Sequence, residues 1–216
     1  MRFDIITIFP HIFDSYFKES IIKRARLQKK INIQIHDLRK FTKDKHKTVD
    51  DKPYGGGPGM ILKVEPIYRA LRKIKRQTKS KIILLTPKGQ QFDQKIAQRY
   101  AKYDQLILIS GRYEGFDQRI YRLVDEKISI GPYILTGGEI PAMVIVDAVS
   151  RLQEGVLGHA HSKDDETYSP DLDYIEYPQY TRPAKFGNWS VPKILLSGNH
   201  QKISHWRQKM AKKRKK

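Results

Sequence analysis

Two runs decide the fold, Lys81 to Thr86 (KIILLT) and Gln105 to Ser110 (QLILIS). Each is short, rich in Ile and Leu, and closed by a Pro or Gly, the pattern of a strand buried on both faces. Between them, Phe92 to Ala101 has helical spacing. Working outward, Phe3 to Phe9 (FDIITIF) reads as a third buried strand, although it carries one acid. His11 to Leu27 has apolar residues near helical spacing and then turns basic. Ile31 to Ile35 alternates with period two. Val64 to Ile74 is an amphipathic helix, Phe116 to Leu123 a short one, Ile128 to Ile130 the start of a strand, and Glu139 to Leu152 a helix rich in Ala, Val and Met. Strands alternating with helices predict an α/β fold with a mainly parallel sheet covered on both faces. Residues 38–59 are polar and end in PYGGGPG, a long loop of the kind that in compact domains carries function.

Composition narrows the class. The 216 residues include 42 Lys and Arg against 23 Asp and Glu, a net charge of +19. A surface facing polyanions accounts for such a charge, and nucleic acid is the commonest polyanion. Residues 201–216 hold eight basic residues and no acid, so the rest of the chain carries +11. Hydrophobic residues make up 39%, enough for a sizeable core, which excludes wholesale disorder. No apolar run approaches the roughly 18 residues of a membrane helix. The opening MRFDIITIFP holds an acid inside its apolar stretch and meets Pro10 too early for a signal peptide, and the absence of Cys leads to the expectation of a cytoplasmic protein, with no membrane partner. With no Cys there is no disulfide framework, thiolate metal site or Cys nucleophile. Residues 1–158 read as the main domain, polar and acidic 159–173 as a linker, and 174–216 as a short helical domain with a basic tail.

Three strand exits carry one signal. Pro87-Lys88-Gly89 follows the first run, Gly111-Arg112-Tyr113-Glu114-Gly115 the second, and Gly131 to Glu139 (GPYILTGGE) the third. Ligands of open α/β sheets bind beyond the carboxyl ends of strands, and glycines there permit close backbone approach. Any one exit is explained by turn chemistry. Three together, interleaved with Tyr and Glu, suggest a pocket for a ligand of mixed polarity. It is not a standard nucleotide site: Gly55 to Gly59 lacks the lysine of a phosphate loop, and no G-x-G-x-x-G follows a strand. A carboxylate such as Glu114 repels polyphosphate and tolerates a cation. His159 and His161 read as solvated loop residues, and no metal site is expected. Asp164-Asp165-Glu166 reads either as a solvated loop or as a mobile carboxylate that takes a proton from a bound substrate.

VDDKPYGGGPGM (49–60), GRYEGFDQR (111–119), SIGPYILTGGEIPAM (129–143), VSRLQEGVLG (149–158), YPQYTRP (177–183) and LLSGNH (195–200) together resemble the bacterial tRNA (guanine-37-N1)-methyltransferase family of the knotted SPOUT-type superfamily. The resemblance spans about residues 1–208. It implies a deep trefoil knot near residues 84–140, an S-adenosyl-L-methionine donor, and a homodimer whose active site is shared between subunits. It also implies tRNA bound by its anticodon stem-loop and a magnesium requirement. Carried over residue by residue, the methyl-donor site is Thr86 and Pro87; Gly111, Tyr113, Glu114 and Gly115; Ile130, Gly131, Pro132, Tyr133, Ile134 and Leu135; and Gly138 with Pro141. Arg151 matches the family's catalytic arginine. Glu166 stands where the family usually has the Asp that serves as base, with Tyr168 for Phe, and Asp165 is the fallback. Pro132 also departs from the family, which often has Asp there. Lys43, Lys45, Lys47, Arg182, Lys193 and Arg207 are candidate phosphate contacts. The competing readings are a knotted methyltransferase of ribosomal RNA and a noncatalytic RNA-binding protein on a degenerate scaffold.

Overall fold

The computed structural model describes residues 1–158, 166–169 and 173–213, in two compact units, Met1–Gly158 and His159–Lys216. The first contains β1 (Arg2–Thr7), α1 (Asp14–Phe17), α2 (Ser20–Leu27), β2 (Asn32–Asp37), β3 (Asp50–Asp51), β4 (Ile61–Leu62) and α3 (Val64–Lys73). It continues with β5 (Ser80–Gln91), α4 (Gln94–Tyr100), β6 (Gln105–Ser110), β7 (Glu126–Ser129) and α5 (Glu139–Ser150). Five strands form one parallel sheet in the order β2-β1-β6-β5-β7.

Strand alternation sorts the apolar side chains onto two faces. Phe3, Ile5, Ile83, Leu85, Leu106 and Leu108 pack with Ala25 of α2, Ile96 of α4 and Val146 of α5. Ile6, Ile82, Leu84, Ile107 and Ile109 pack with Leu38, Ile67 of α3 and Ile120. All six residues of β6 are buried, as its apolar run predicts. The acid inside the first strand is Asp4, fully buried. Burial pushes its carboxyl up, but hydrogen bonds from His36, Arg2 and Gln105, each 2.7 Å long, outweigh this and hold it below the usual carboxylate value.

Three expectations change. The helix over 11–27 is broken into a 3-10 turn (Pro10–Phe13), α1 and α2. The break lets Phe13 and Phe17 stack at 5.5 Å and bury in the core while Ser20 turns the chain through φ +49°. The loop over 38–59 is partly ordered: a 3-10 turn (Leu38–Phe41) starts where Asp37 accepts from the Arg39 amide, Val49 is buried, and β3 pairs antiparallel with β4. The strand predicted over Lys81 to Thr86 does not stop at Thr86. β5 continues through Pro87-Lys88-Gly89 to Gln91, with a register irregularity against β7 between Leu85 and Gln90. Gly89 makes this possible, because a Cβ there would lie 2.4 Å from the Ile128 amide nitrogen.

The second unit is more than helical. β8 (Tyr174–Ile175) pairs with β11 (Lys212–Lys213), and β9 (Lys185–Phe186) with β10 (Trp189–Ser190) around Gly187. A 3-10 turn (Lys193–Leu196) precedes α6 (His200–Met210), whose first turn is capped by Asn199 accepting from the Lys202 amide. None of its described residues is fully buried.

Candidate active site

The site is assembled where the carboxyl end of β6 meets the amino end of α5. The Gly138 amide donates to the Gly111 carbonyl at 2.9 Å. A Cβ on Gly138 would stand 2.7 Å from both the Gly111 nitrogen and the Ser110 Cα, so only glycine lets the two backbones touch. A Cβ on Gly111 would meet the Phe116 ring at 2.8 Å. Tyr113 and Gly115 take φ +59° and +120°, which folds the exit back on itself. Asp117 closes that turn, held below the usual carboxylate range by the Arg119 guanidinium that donates to it.

One further segment leans on this exit. Glu114 donates its amide to Met60, Leu62 donates to Gly115, and Asp117 donates to Leu62, at 2.9–3.0 Å. These bonds hold the end of the glycine-rich loop beside Glu114, and a Cβ on Gly59 would strike the Glu114 side chain at 2.5 Å. After β7, Ser129 Oγ donates to the Gly131 carbonyl, and the Tyr133 ring covers Gly131 so closely that a Cβ there would fall 2.3 Å from it. Tyr113 on the β6 exit is exposed at 47%, and Tyr133 and Ile134 on the β7 exit at 52% and 80%. Leu135 is also exposed and Pro141 half-buried. Ser110 Oγ is buried with no hydrogen-bond partner among the described residues, a polar atom left over at the floor of the cradle.

A tie that no motif revealed braces the cradle. Glu139, buried at the start of α5, accepts from Thr7 Oγ1 at 2.8 Å and Arg112 Nε at 3.0 Å. Arg112 also stacks over the Phe9 ring at 4.7 Å. The exits of β1 and β6 and the amino end of α5 are thereby joined through one carboxylate.

The family model described as tRNA (guanine-1)-methyltransferase TrmD matches residues 1–216. The chain belongs to this tRNA (guanine-1)-methyltransferase family. A relative from Dictyoglomus turgidum is 53% identical over 99% of this chain and 86% of its own length. Others from Geobacillus kaustophilus and Dehalococcoides mccartyi are 52% and 49% identical over 97% of this chain and 86% and 85% of their own lengths. All three are named tRNA (guanine-N(1)-)-methyltransferase.

In this methyltransferase the structure gathers Gly111, Tyr113, Glu114, Gly115 and Gly138, with Ile130 to Leu135 following β7. Thr86 and Pro87 lie within β5 and not in an exit loop. Arg151 is the C-cap of α5, its amide donating to the Asp147 carbonyl. Glu166 belongs to the second unit, half-buried in a turn closed by the Ser169 amide donating to its carbonyl at 2.8 Å. Tyr168 there has φ +70°. Asp165, with Asp164, His159 and His161, lies outside the described residues. Among the described residues no group of three or more His, Asp and Glu side chains could hold a metal ion. No helix among them is long and apolar enough to cross a membrane. Lys43, Lys45, Lys47, Arg182, Lys193 and Arg207 are exposed, and Arg207 lies over the Tyr177 ring at 4.9 Å.

Proposed function

We propose that this protein methylates N1 of guanosine 37 in tRNA, in the cytoplasm, with S-adenosyl-L-methionine as donor. The observation that carries the reading is the glycine-built junction of Gly111 with Gly138, with exposed Tyr113 on the β6 exit and exposed Tyr133 and Ile134 on the β7 exit. Its unpaired Ser110 hydroxyl, backbone polar groups and exposed rings suit an adenosine, and the Glu114 carboxylate suits a ligand bearing positive charge. Bound there, the donor supplies an electrophilic methyl on a sulfonium.

The chain's own residues do the rest. N1 of guanine carries a proton at neutral pH and is a poor nucleophile until it leaves. Glu166 accepts that proton, with Asp165 as the alternative base. As the proton leaves, negative charge builds on O6, and the Arg151 guanidinium stabilises it. N1 then attacks in line, and the base must first leave the anticodon-loop stack to reach the cradle. The exposed Lys43, Lys45 and Lys47 of the first unit and Arg182, Lys193 and Arg207 of the second hold phosphates and so position the loop without specifying it.

The knot over residues 84–140 and the homodimer belong to the same proposal. The knot is supported by membership of the family. The dimer is supported by an apolar stripe: Ile140 and Val144, one helical turn apart on α5, are exposed at 53% and 39%, and Phe9, Ile12 and Tyr16 are exposed nearby. Burial raises the Tyr16 phenol, and Asp147 beside it raises it further. A 12-residue α5 sets Arg151 about 18 Å from Gly138 of its own protomer, so a shared site would let Glu166 and Arg151 of one protomer serve the cradle of the other. The test is transfer of labelled methyl to a tRNA with guanosines at 36 and 37, against its adenosine-37 control. Labelling of the first alone supports the reading. Equal labelling, labelling only of ribosomal RNA, or none rejects it.

A further inference from the structure

The proposed donor cradle lies at the carboxyl edge of the sheet, whereas Arg151, at the far end of α5, is two residues from Gln153, which lines the amino edge. The amino edge is built as well, and its chemistry is cationic. A trough of about 860 Å³ opens where β1, β2, β5 and β6 begin, lined by Arg2, Lys29, Lys75, Arg76 and Lys102. A second, of about 880 Å³, adjoins it at Lys29 and Asn32 and adds Lys18, Lys23 and Arg26. Eight cationic side chains thus line the two, against the carboxylates of Asp104 and Glu19 alone. Much of the +11 outside the tail faces this edge and has no part in the cradle.

Four of the eight are engaged within the chain, Arg2 with Asp4, Lys18 with Asp14, Arg76 with Asp125 and Arg26 with the Phe17 carbonyl. Lys23, Lys29, Lys75 and Lys102 are exposed and form no ion pair among the described residues. Arg2 is held as a fixed wall: its Nη2 donates to buried Asp4 and to Gln34, and its Nε is buried with no partner among the described residues. The charges are strung along two joined troughs and do not converge on one point. Lysine is a solvated point charge on a flexible stem, suited to phosphodiesters spaced along a strand.

We propose that this edge is a second RNA-binding surface, which takes the sugar–phosphate backbone of the tRNA outside its anticodon loop. Strands of six residues span about 20 Å, so a tRNA whose loop lies at the strand exits meets this edge with phosphates of its stems or body. The inference rests on the proposed function for the identity of the RNA.

The experiment compares the full-length chain with Lys29→Glu/Lys75→Glu/Lys102→Glu, and with the milder triple change to Gln. Binding of fluorescent full-length tRNA and of an anticodon stem-loop hairpin is followed by anisotropy over a range of salt. Methyl transfer and S-adenosyl-L-methionine titration run in parallel. The Glu variant should lose at least about tenfold in full-length tRNA affinity at low salt. Its salt slope should fall by about 2–3, near 0.9 for each phosphate no longer neutralised. The Gln variant should lose less in the same direction, while donor affinity and hairpin binding stay as in the unchanged protein. An unchanged slope overturns the proposal, as does an equal loss on the hairpin. So does inorganic triphosphate binding that the Glu change abolishes while tRNA binding stays intact, since the edge would then serve a compact phosphate. If the unchanged protein methylates no tRNA, the functional reading fails; if it does and the slope stays, the second surface alone fails.

Discussion

Arg112→Met tests whether the Thr7–Glu139–Arg112 tie holds the cradle together. The Glu139 side chain is 1% exposed and that of Arg112 21%. Removing the guanidinium leaves a buried carboxylate with the Thr7 hydroxyl as its remaining side-chain donor. Breaking a buried pair in this way costs about 3–5 kcal/mol. Water can reach the Arg112 side of the pair, so the lower end applies, about 3 kcal/mol. For a chain of this size that lowers Tm by about 6–12 °C. Adding Glu139→Gln removes the stranded charge and keeps an acceptor for Thr7, so the double variant should recover at least about 1 kcal/mol over Arg112→Met. Thermal and urea denaturation of the four members of the cycle measure this. If Arg112→Met lies within about 0.5 kcal/mol of the unchanged protein, or the two changes simply add, the tie does not brace the junction.

Three other outcomes are expected. Glu166→Ala should abolish single-turnover methylation with donor binding nearly intact; the same loss in Asp165→Ala, with Glu166→Ala active, moves the role to Asp165. Asp4 lies below its usual value in the folded protein and near 3.9 when unfolded. Its contribution is therefore complete above about pH 4 and lost as pH falls through the folded value. Asp4→Asn should flatten the decline in urea stability below about pH 4, and an unaltered acid limb would count against the network. Val144→Asp should convert a dimer to a monomer in sedimentation and remove methylation; a stable, active dimer would place the contact elsewhere.

The sequence made legible what is local and strongly patterned. QLILIS is β6 without adjustment, and the helices predicted over 64–74 and 139–152 appear with their ends trimmed by one or two residues. Punctuation misled where one residue type serves two purposes. Pro87 and Gly89 signal a turn, but β5 runs through them because Gly89 is spent on contact with β7. Periodicity over 11–27 carries no mark of the break at Lys18 and Glu19. In the candidate site, the glycines at the β6 and β7 exits were visible as motifs, whereas the bracing was not. Glu139 meets Arg112 27 residues away and Thr7 132 residues away, and Asp4 meets Gln105 across 101 residues. Only the fold brings such partners together.

Under the proposed function, the junction of Gly111 with Gly138 is the methyl-donor cradle. Gly138 has φ −87° and ψ 1°, a conformation alanine also adopts, so Gly138→Ala adds one carbon and little backbone strain. That carbon would stand 2.7 Å from backbone atoms of Ser110 and Gly111, and relieving the overlap costs about 1–3 kcal/mol. The most direct measurement is calorimetric titration of S-adenosyl-L-methionine into the unchanged protein and into Gly138→Ala. Binding by the first, and a loss of about tenfold or more in a variant that remains folded, is the result predicted. Equal affinity in the two would contradict it.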